Sequence, residues 1–471
     1  MRTRDTGETG DTVEVLYCAG WDPRTRSPVG PMSEDRAREH DATGEPYAVL
    51  LGAGGRQRAL LHVSWTDHHL GMFLFDEEQR RVRRYDYREL TAGLLHLRCY
   101  EEWRHASVDK PEFPERGWHF TLTARPDSEH ARVELDHGGS LHTVRDLPAR
   151  HRTLRRAEFG DWTAYADASM LGLTADGAPD LVPAPHPTSL PVAEQLPTPP
   201  HGALRPPVRR AIHPMDRPAG AAPRHLEALF TPGSRFAHPH FGTAVVTAPE
   251  PAGVLRLPTG SVVAADPGTL GEDDEPFTVR VPPGEYPVVI ATMEWEGKGW
   301  GDNTAALLRI TDEPTVSWEL AVRPGQDPRL LGEGEFYGFG VDTGMGAFLD
   351  AAGREGLAEA FEDRLEPGEA TDPRTGTNLI AYHSGMGDGS YPVWIGRSAA
   401  GEVTCLVADM LILHHARPLP PTAPDTTTFR FPATVQDTPG PHEPGTAGEA
   451  AAYIAALITE VADFNESLRH R

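Results

Sequence analysis

The sequence predicts a mainly β protein, α+β overall, arranged as two domains on either side of a proline-rich linker. Three observations carry this expectation. Apolar runs of strand length recur through both halves, separated by short polar or glycine-rich breaks. Helical periodicity is confined to one inserted segment and to the end of the chain. Between the halves, VPAPHPTSLPVAEQLPTPPHGALRPPVRR has few large apolar residues and cannot bury enough surface to offset its chain entropy. With 471 residues, either half is long enough to enclose its own core.

Taken in order, residues 1–40 are polar, contain Pro23, Pro28 and Pro31, and show no period, so they are expected to be mostly irregular. Residues 41–172 form the first domain. YAVLL, RALLHVSW, HLGMFLF, RRVRRYDY, LLHLRCYEEW, WHFTLTARP, ARVELDH and SLHTVRDL follow one another with turn signals between them. That spacing argues an antiparallel meander with a core face and a wet face, and with Trp65, Trp103, Trp118 and Trp162 as core fillers. Residues 173–224 are the linker, whose proline density favours extended polyproline II. Residues 225–415 open with a short helix and continue as strands, which predicts a β-sandwich-like domain. Within it only MGAFLDAAGREGLAEAFEDRLE reads as helix, from Leu357, Phe361 and Leu365 at i, i+4 spacing. Residues 416–445 are a second Pro/Thr-rich tract. Residues 446–471 are an amphipathic helix: Thr446 and Glu449 make a capping box, and Ala450, Tyr453, Ile454, Leu457, Ile458, Val461 and Phe464 form one apolar stripe.

Composition narrows the function classes. A balance of 44 basic against 69 acidic residues leaves −25, which repels phosphate backbones and anionic lipid. No nucleic acid and no membrane is expected as a partner; a protein with a basic surface is. Cys18, Cys99 and Cys405 are far apart and odd in number, supporting neither a disulfide framework nor a structural zinc site. The opening MRTRDTGETGDTVEV lacks the apolar region of a secretion signal, so a cytoplasmic location is expected. Lys110 and Lys298 are the only lysines, the codon bias of a GC-rich, actinobacterial genome.

The unusual chemistry lies between Gly332 and Trp394. GEGEFYGFGVDTGMGAFLD and NLIAYHSGMGDGSYPVW each run an apolar piece into glycines and an aspartate. Together with GVLRLPTGSVVAADP, VPPGEYPV and SWELA, these segments resemble the bacterial DUF4241 family, a domain of unknown function, over residues 226–413. The resemblance implies a shared fold and a shared glycine–aspartate centre; it implies no activity. The first half resembles no family.

The candidate ligand or loop site comprises Asp342, Asp350, Ser384, Asp388, Tyr391 and Lys298. Three carboxylates in glycine-rich loops have the hard oxygens that a divalent cation takes, or the pair that acid–base work needs; the alternative is that Asp342 and Asp388 cap loop amides and Asp350 is exposed on the helix. No other cofactor is expected. Asp342-Thr343-Gly344 lacks the second carboxylate of an aspartic protease, and Ser384 lacks the preceding glycine of a nucleophile elbow. Lys298 stands between Trp295 and Trp300 at a hairpin tip. The leading expectation is a non-catalytic binding protein, of inhibitor or immunity type, acting on a basic partner. The alternative is a carboxylate- or metal-dependent hydrolase centred on Asp342, Asp350 and Asp388.

Overall fold

The eight apolar runs of the first half fold as consecutive antiparallel strands in the computed structural model. It describes residues 12–173 except 109, 111, 114–116, 127 and 138; residues 179–184; residues 223–420 except 333 and 363; and residues 428–430 and 444–469. Two units are present, Met1–Pro218 with Asp437–Arg471, and Ala219–Gln436.

The first unit contains β1 (Thr12–Asp22), β2 (Ser27–Pro31), α1 (Glu34–Thr43), β3 (Tyr47–Ala53), β4 (Arg56–Ser64), β5 (His69–Phe75), β6 (Arg81–Thr91), β7 (Leu94–Arg104), β8 (Trp118–Ala124), β9 (His130–Asp136), β10 (Ser140–Asp146), β11 (Thr153–Arg155) and β12 (Asp180–Pro183). They form a twelve-stranded sheet in the order β10-β9-β8-β7-β6-β5-β4-β3-β1-β12, with β2 on β1 and β11 on β7. Residues 12–43 are therefore not irregular. Their pairing is non-local: β1 lies antiparallel to β3 and parallel to β12. The prolines that obscured it sit in the turn after β1 and on β2, which among the described residues pairs only with β1, where proline is tolerated. Ser33 caps α1 through the Arg36 amide, and Gly44 closes it at φ 81°.

Nor is one face simply wet. β3 and β5 are buried along their whole length. Trp21, Leu50, Leu60 and Phe73 make a second apolar cluster on the far face. Beyond it lies the buried Asp86, held by Arg88 at 2.9 Å, Arg98 at 3.0 Å and His69 at 3.5 Å. Trp65, Trp103 and Trp162 are buried as expected, and Trp118 is half-buried.

The second unit runs α2 (Leu226–Leu229), β13 (Arg235–His238), β14 (Gly242–Val246), β15 (Glu250–Leu257), β16 (Val262–Ala265), β17 (Gly284–Trp295), β18 (Gly301–Arg309), β19 (Ser317–Leu320), β20 (Gly338–Val341), β21 (Met345–Asp350), α3 (Arg354–Phe361), β22 (Glu369–Thr371), β23 (Asn378–His383), β24 (Gly389–Arg397), β25 (Val403–Asp409), β26 (Arg417–Leu419) and β27 (Thr428–Phe429). The large sheet is ordered β26-β13-β14-β17-β18-β25-β24-β19-β27, with β15 on β17 and β20 on β24. A small sheet, β16-β21-β23-β22, packs against it. Val262, Ala264, Phe348, Ile380 and Tyr382 of the small sheet join the main core. The alternate residues Val263, Ala265, Ala347, Leu349, Leu379 and Ala381 face α3 through Leu357 and Phe361. Burial on both faces explains why these strands read as continuous apolar runs. It also corrects the inserted helix. Met345–Asp350 is a strand between β16 and β23, and the α-helix begins at Arg354, after a single 3-10 turn at Ala351–Gly353.

The chain then returns to the first unit as α4 (Ala447–Arg469). Thr446 and Glu449 form the capping box, with Thr446 N–H donating to Glu449 at 2.9 Å and Glu449 N–H to Thr446 at 3.2 Å. Ala450, Ile454, Leu457, Ile458 and Val461 are buried, the last four in the first unit's core. The expected linker at 173–224 and the tract at 416–445 lie mostly outside the described residues; their described parts include β12, β26 and β27.

Candidate functional site

Both glycine-rich segments cross from one sheet of the second unit to the other, and they do so side by side. Residues 342–344 link β20 to β21, and residues 384–388 link β23 to β24. β20 pairs with β24, ending at Val341↔Gly389, and β21 pairs with β23, starting at Met345↔His383. Asp342 and Asp388 are the next residues beyond the first ladder, both exposed. Ser384 N–H donates to the Gly344 carbonyl at 3.0 Å and ties the two crossings together.

The crossings are pinned from beneath. Asp266, just after β16, accepts the amides of Asp342 and Thr343 at 2.7 Å each, the Thr343 hydroxyl at 2.6 Å and the Gly268 amide at 2.8 Å. Four donors satisfy this buried carboxylate. In the second crossing, the Ser384 hydroxyl at 2.8 Å and the Tyr391 hydroxyl at 2.7 Å both donate to the Gly387 carbonyl. Burial raises the Tyr391 phenol above its ordinary pKa, the Ser384 hydrogen bond opposes that, and the nearby Asp388 charge adds to it. Gly385 has φ 71°, and a Cβ there would sit 2.8 Å from the Asn303 carbonyl oxygen and from Ile412. That position requires glycine. Ser384 and Tyr391 are thus loop braces, with their hydroxyls engaged.

Asp350 is separated from this pair. It stands at the far end of β21, fully buried, accepting from the Thr259 amide at 2.9 Å, the Thr259 hydroxyl at 2.6 Å and the Ala352 amide at 2.9 Å. A six-residue strand spans roughly 20 Å, so the three carboxylates do not converge. Nothing in the spacing of the three aspartates marked a strand between them. Among the described residues, no three His, Cys, Asp or Glu side chains are grouped as a metal ion would need.

Lys298 belongs to the same end of the large sheet. Strand directions place the β17–β18 tip, the β13–β14 tip and the two crossings there together. Asn303 of β18 donates to the His383 carbonyl at 3.1 Å, linking the hairpin to the second crossing. The tip turns through Gly297 and Gly299, at φ 73° and 70°. Buried Trp295 donates its indole N–H to Asp302 at 2.9 Å and packs on His238 and Phe241. Trp300 packs on Trp295 but is 46% exposed, and the Lys298 amine lies 5.9 Å from the Trp300 and Phe241 rings. Met386, at the apex of the second crossing, is 64% exposed. Asp266, Trp300 and Met386 went unmarked as site residues in the sequence. Only Asp266 carried a signal, an aspartate ahead of Pro267-Gly268 in a turn.

Residues 255–372 and 362–408 match the family model described as "Protein of unknown function (DUF4241)". The second unit carries a DUF4241 match. The DUF4241 segments include Asp266, both crossings and the Trp300 hairpin, and none of the first unit. No curated protein and no solved structure matches the chain. No helix among the described residues is long and apolar enough to cross a membrane.

Proposed function

We propose that the DUF4241 unit is a non-catalytic binding module that takes a basic protein surface at the crossing end of its large sheet. The observation that carries this is the exposed pair Asp342 and Asp388, presented on loops whose backbones are fixed by Asp266, Ser384 and Tyr391. Loops held in this way lose little further backbone entropy on binding. Trp300 and Met386 supply apolar contact beside the charges, the residue types that carry energy at interfaces. The chain's −25 charge favours a cationic partner and speeds encounter with it.

The test is titration of the full chain with an oligo-arginine peptide at several salt concentrations. Asp342→Asn with Asp388→Asn should weaken binding about three- to tenfold. Asp312→Asn with Glu313→Gln removes the same charge beyond the opposite end of β18 and should change it little. Equal losses from the two pairs would reduce the effect to general charge attraction and end the site assignment.

A further inference from the structure

The first unit's sheet is closed off at one edge and left open at the other. At the β12 edge the last strand is short, parallel to its neighbour and ends at Pro183, features that discourage further pairing. β10, at the other edge, has no such protection. It is seven residues long, contains no proline, and keeps an unbroken register with β9 from Ser140↔Asp136 to Asp146↔His130. Among the described residues, no strand pairs with its outer edge. Leu141, Thr143 and Arg145 are half-buried, and Arg145 reaches α4, 3.4 Å from Glu460 and 5.9 Å from the Phe464 ring. Ser140, His142, Val144 and Asp146 point the other way, and Val144 is 62% exposed.

We propose that β10 pairs antiparallel with β10 of a second copy, about a two-fold axis through Val144. In that register Val144 meets the partner's Val144, so the exposed apolar side chain is buried against itself. His142 lies opposite the partner's Asp146 and Thr143 opposite the partner's Arg145; no like charges meet. An axis through Thr143 instead sets Val144 against His142 and Arg145 against Leu141, which buries less and pairs no charges. A two-fold through the strand also keeps the same face of both sheets aligned, as an isologous contact requires. A strand seam alone is small beside the roughly 1,200 Å² of a stable interface. Phe464, 43% exposed on the α4 side of β10, extends it.

The experiment is sedimentation of the full chain at about 100 µM, a concentration suited to a small interface, with Val144→Asp and Val144→Lys variants. Wild type should sediment at twice the mass of one chain. Each variant should be monomeric, with a melting temperature equal to wild type's at dilutions where wild type is itself monomeric, because Val144 is solvent-exposed in the single chain. An equimolar mixture of the two variants should recover the dimer through opposite charges at the axis. A monomeric wild type overturns the proposal, as does a dimer that survives both substitutions. A mixture that stays monomeric overturns the Val144 register.

Discussion

Four hydrogen-bond donors converge on the buried Asp266 carboxylate, and removing it takes the shared acceptor away from three backbone amides and a hydroxyl at once. Asp266→Ala should therefore cost about 2–4 kcal/mol, read as a lowered denaturation midpoint, whereas the exposed Asp342→Asn should move it by less than about 0.5 kcal/mol. If the two substitutions cost the same, Asp266 is not the pin. Two buried titrating groups give the units opposite pH responses. Burial lifts Asp409 to about 6, against backbone and indole hydrogen bonds from Leu411 and Trp394. A raised carboxyl pKa means its stability contribution is whole near pH 4 and is lost as pH rises to about 6, by up to about 3 kcal/mol. In the first unit, burial depresses His69 to about 4, opposed by the Asp86 hydrogen bond. The unfolded chain then binds the proton more readily, so that unit loses stability as pH falls from about 6.5 towards 4. Denaturation of Asp409→Asn across this range should lack the loss between pH 4 and 6, and His69→Gln the loss below pH 6.5. Unchanged pH slopes in either variant would refute that assignment.

α4 was legible in the sequence to its capping box and most of its stripe, because a long amphipathic helix announces both locally; Tyr453 is only half-buried and Phe464, read as part of the stripe, is 43% exposed. Leu457→Asp puts a charge into the first unit's core and should cost more than about 3 kcal/mol, with α4 amides losing hydrogen-exchange protection first. Retained protection would mean the helix is held by other contacts. The eight-strand meander was legible for the same reason, since each strand pairs with its neighbour in sequence. β1 and β21 were not. β1 alternates only over Thr12–Val15 before burying Leu16, Cys18 and Trp21 on the other face, and β21 is buried throughout, so neither reads as a half-exposed strand, and the partners of β1, at β3 and β12, are not its sequence neighbours. Treating Met345–Asp350 as helix also misplaced Asp350, and with it the three-carboxylate site. The two crossings were marked by their glycines, yet only the pairing of β20 with β24 sets Asp342 beside Asp388.

Over the whole molecule, the second unit is one continuous stretch of chain, and the first is assembled from two. Residues 219–436 expressed alone should give a cooperative melt, since their core draws on no residue outside that range. Residues 1–218 lack Ile454, Leu457, Ile458 and Val461, and leave the surface they cover exposed. That fragment should bind a dye that reports exposed apolar surface, and a peptide spanning 437–471 should abolish the signal. A fragment that melts cooperatively without the peptide would make α4 an accessory.

This discontinuity sets a timetable for synthesis. A ribosome releases the β-strands of the first unit well before α4, with all of the second unit made in between. The unit made second can complete its fold while the one begun first still waits for its last helix. Nascent chains spend that interval with the apolar patch under Ile454, Leu457, Ile458 and Val461 uncovered, the kind of transient exposure that invites aggregation.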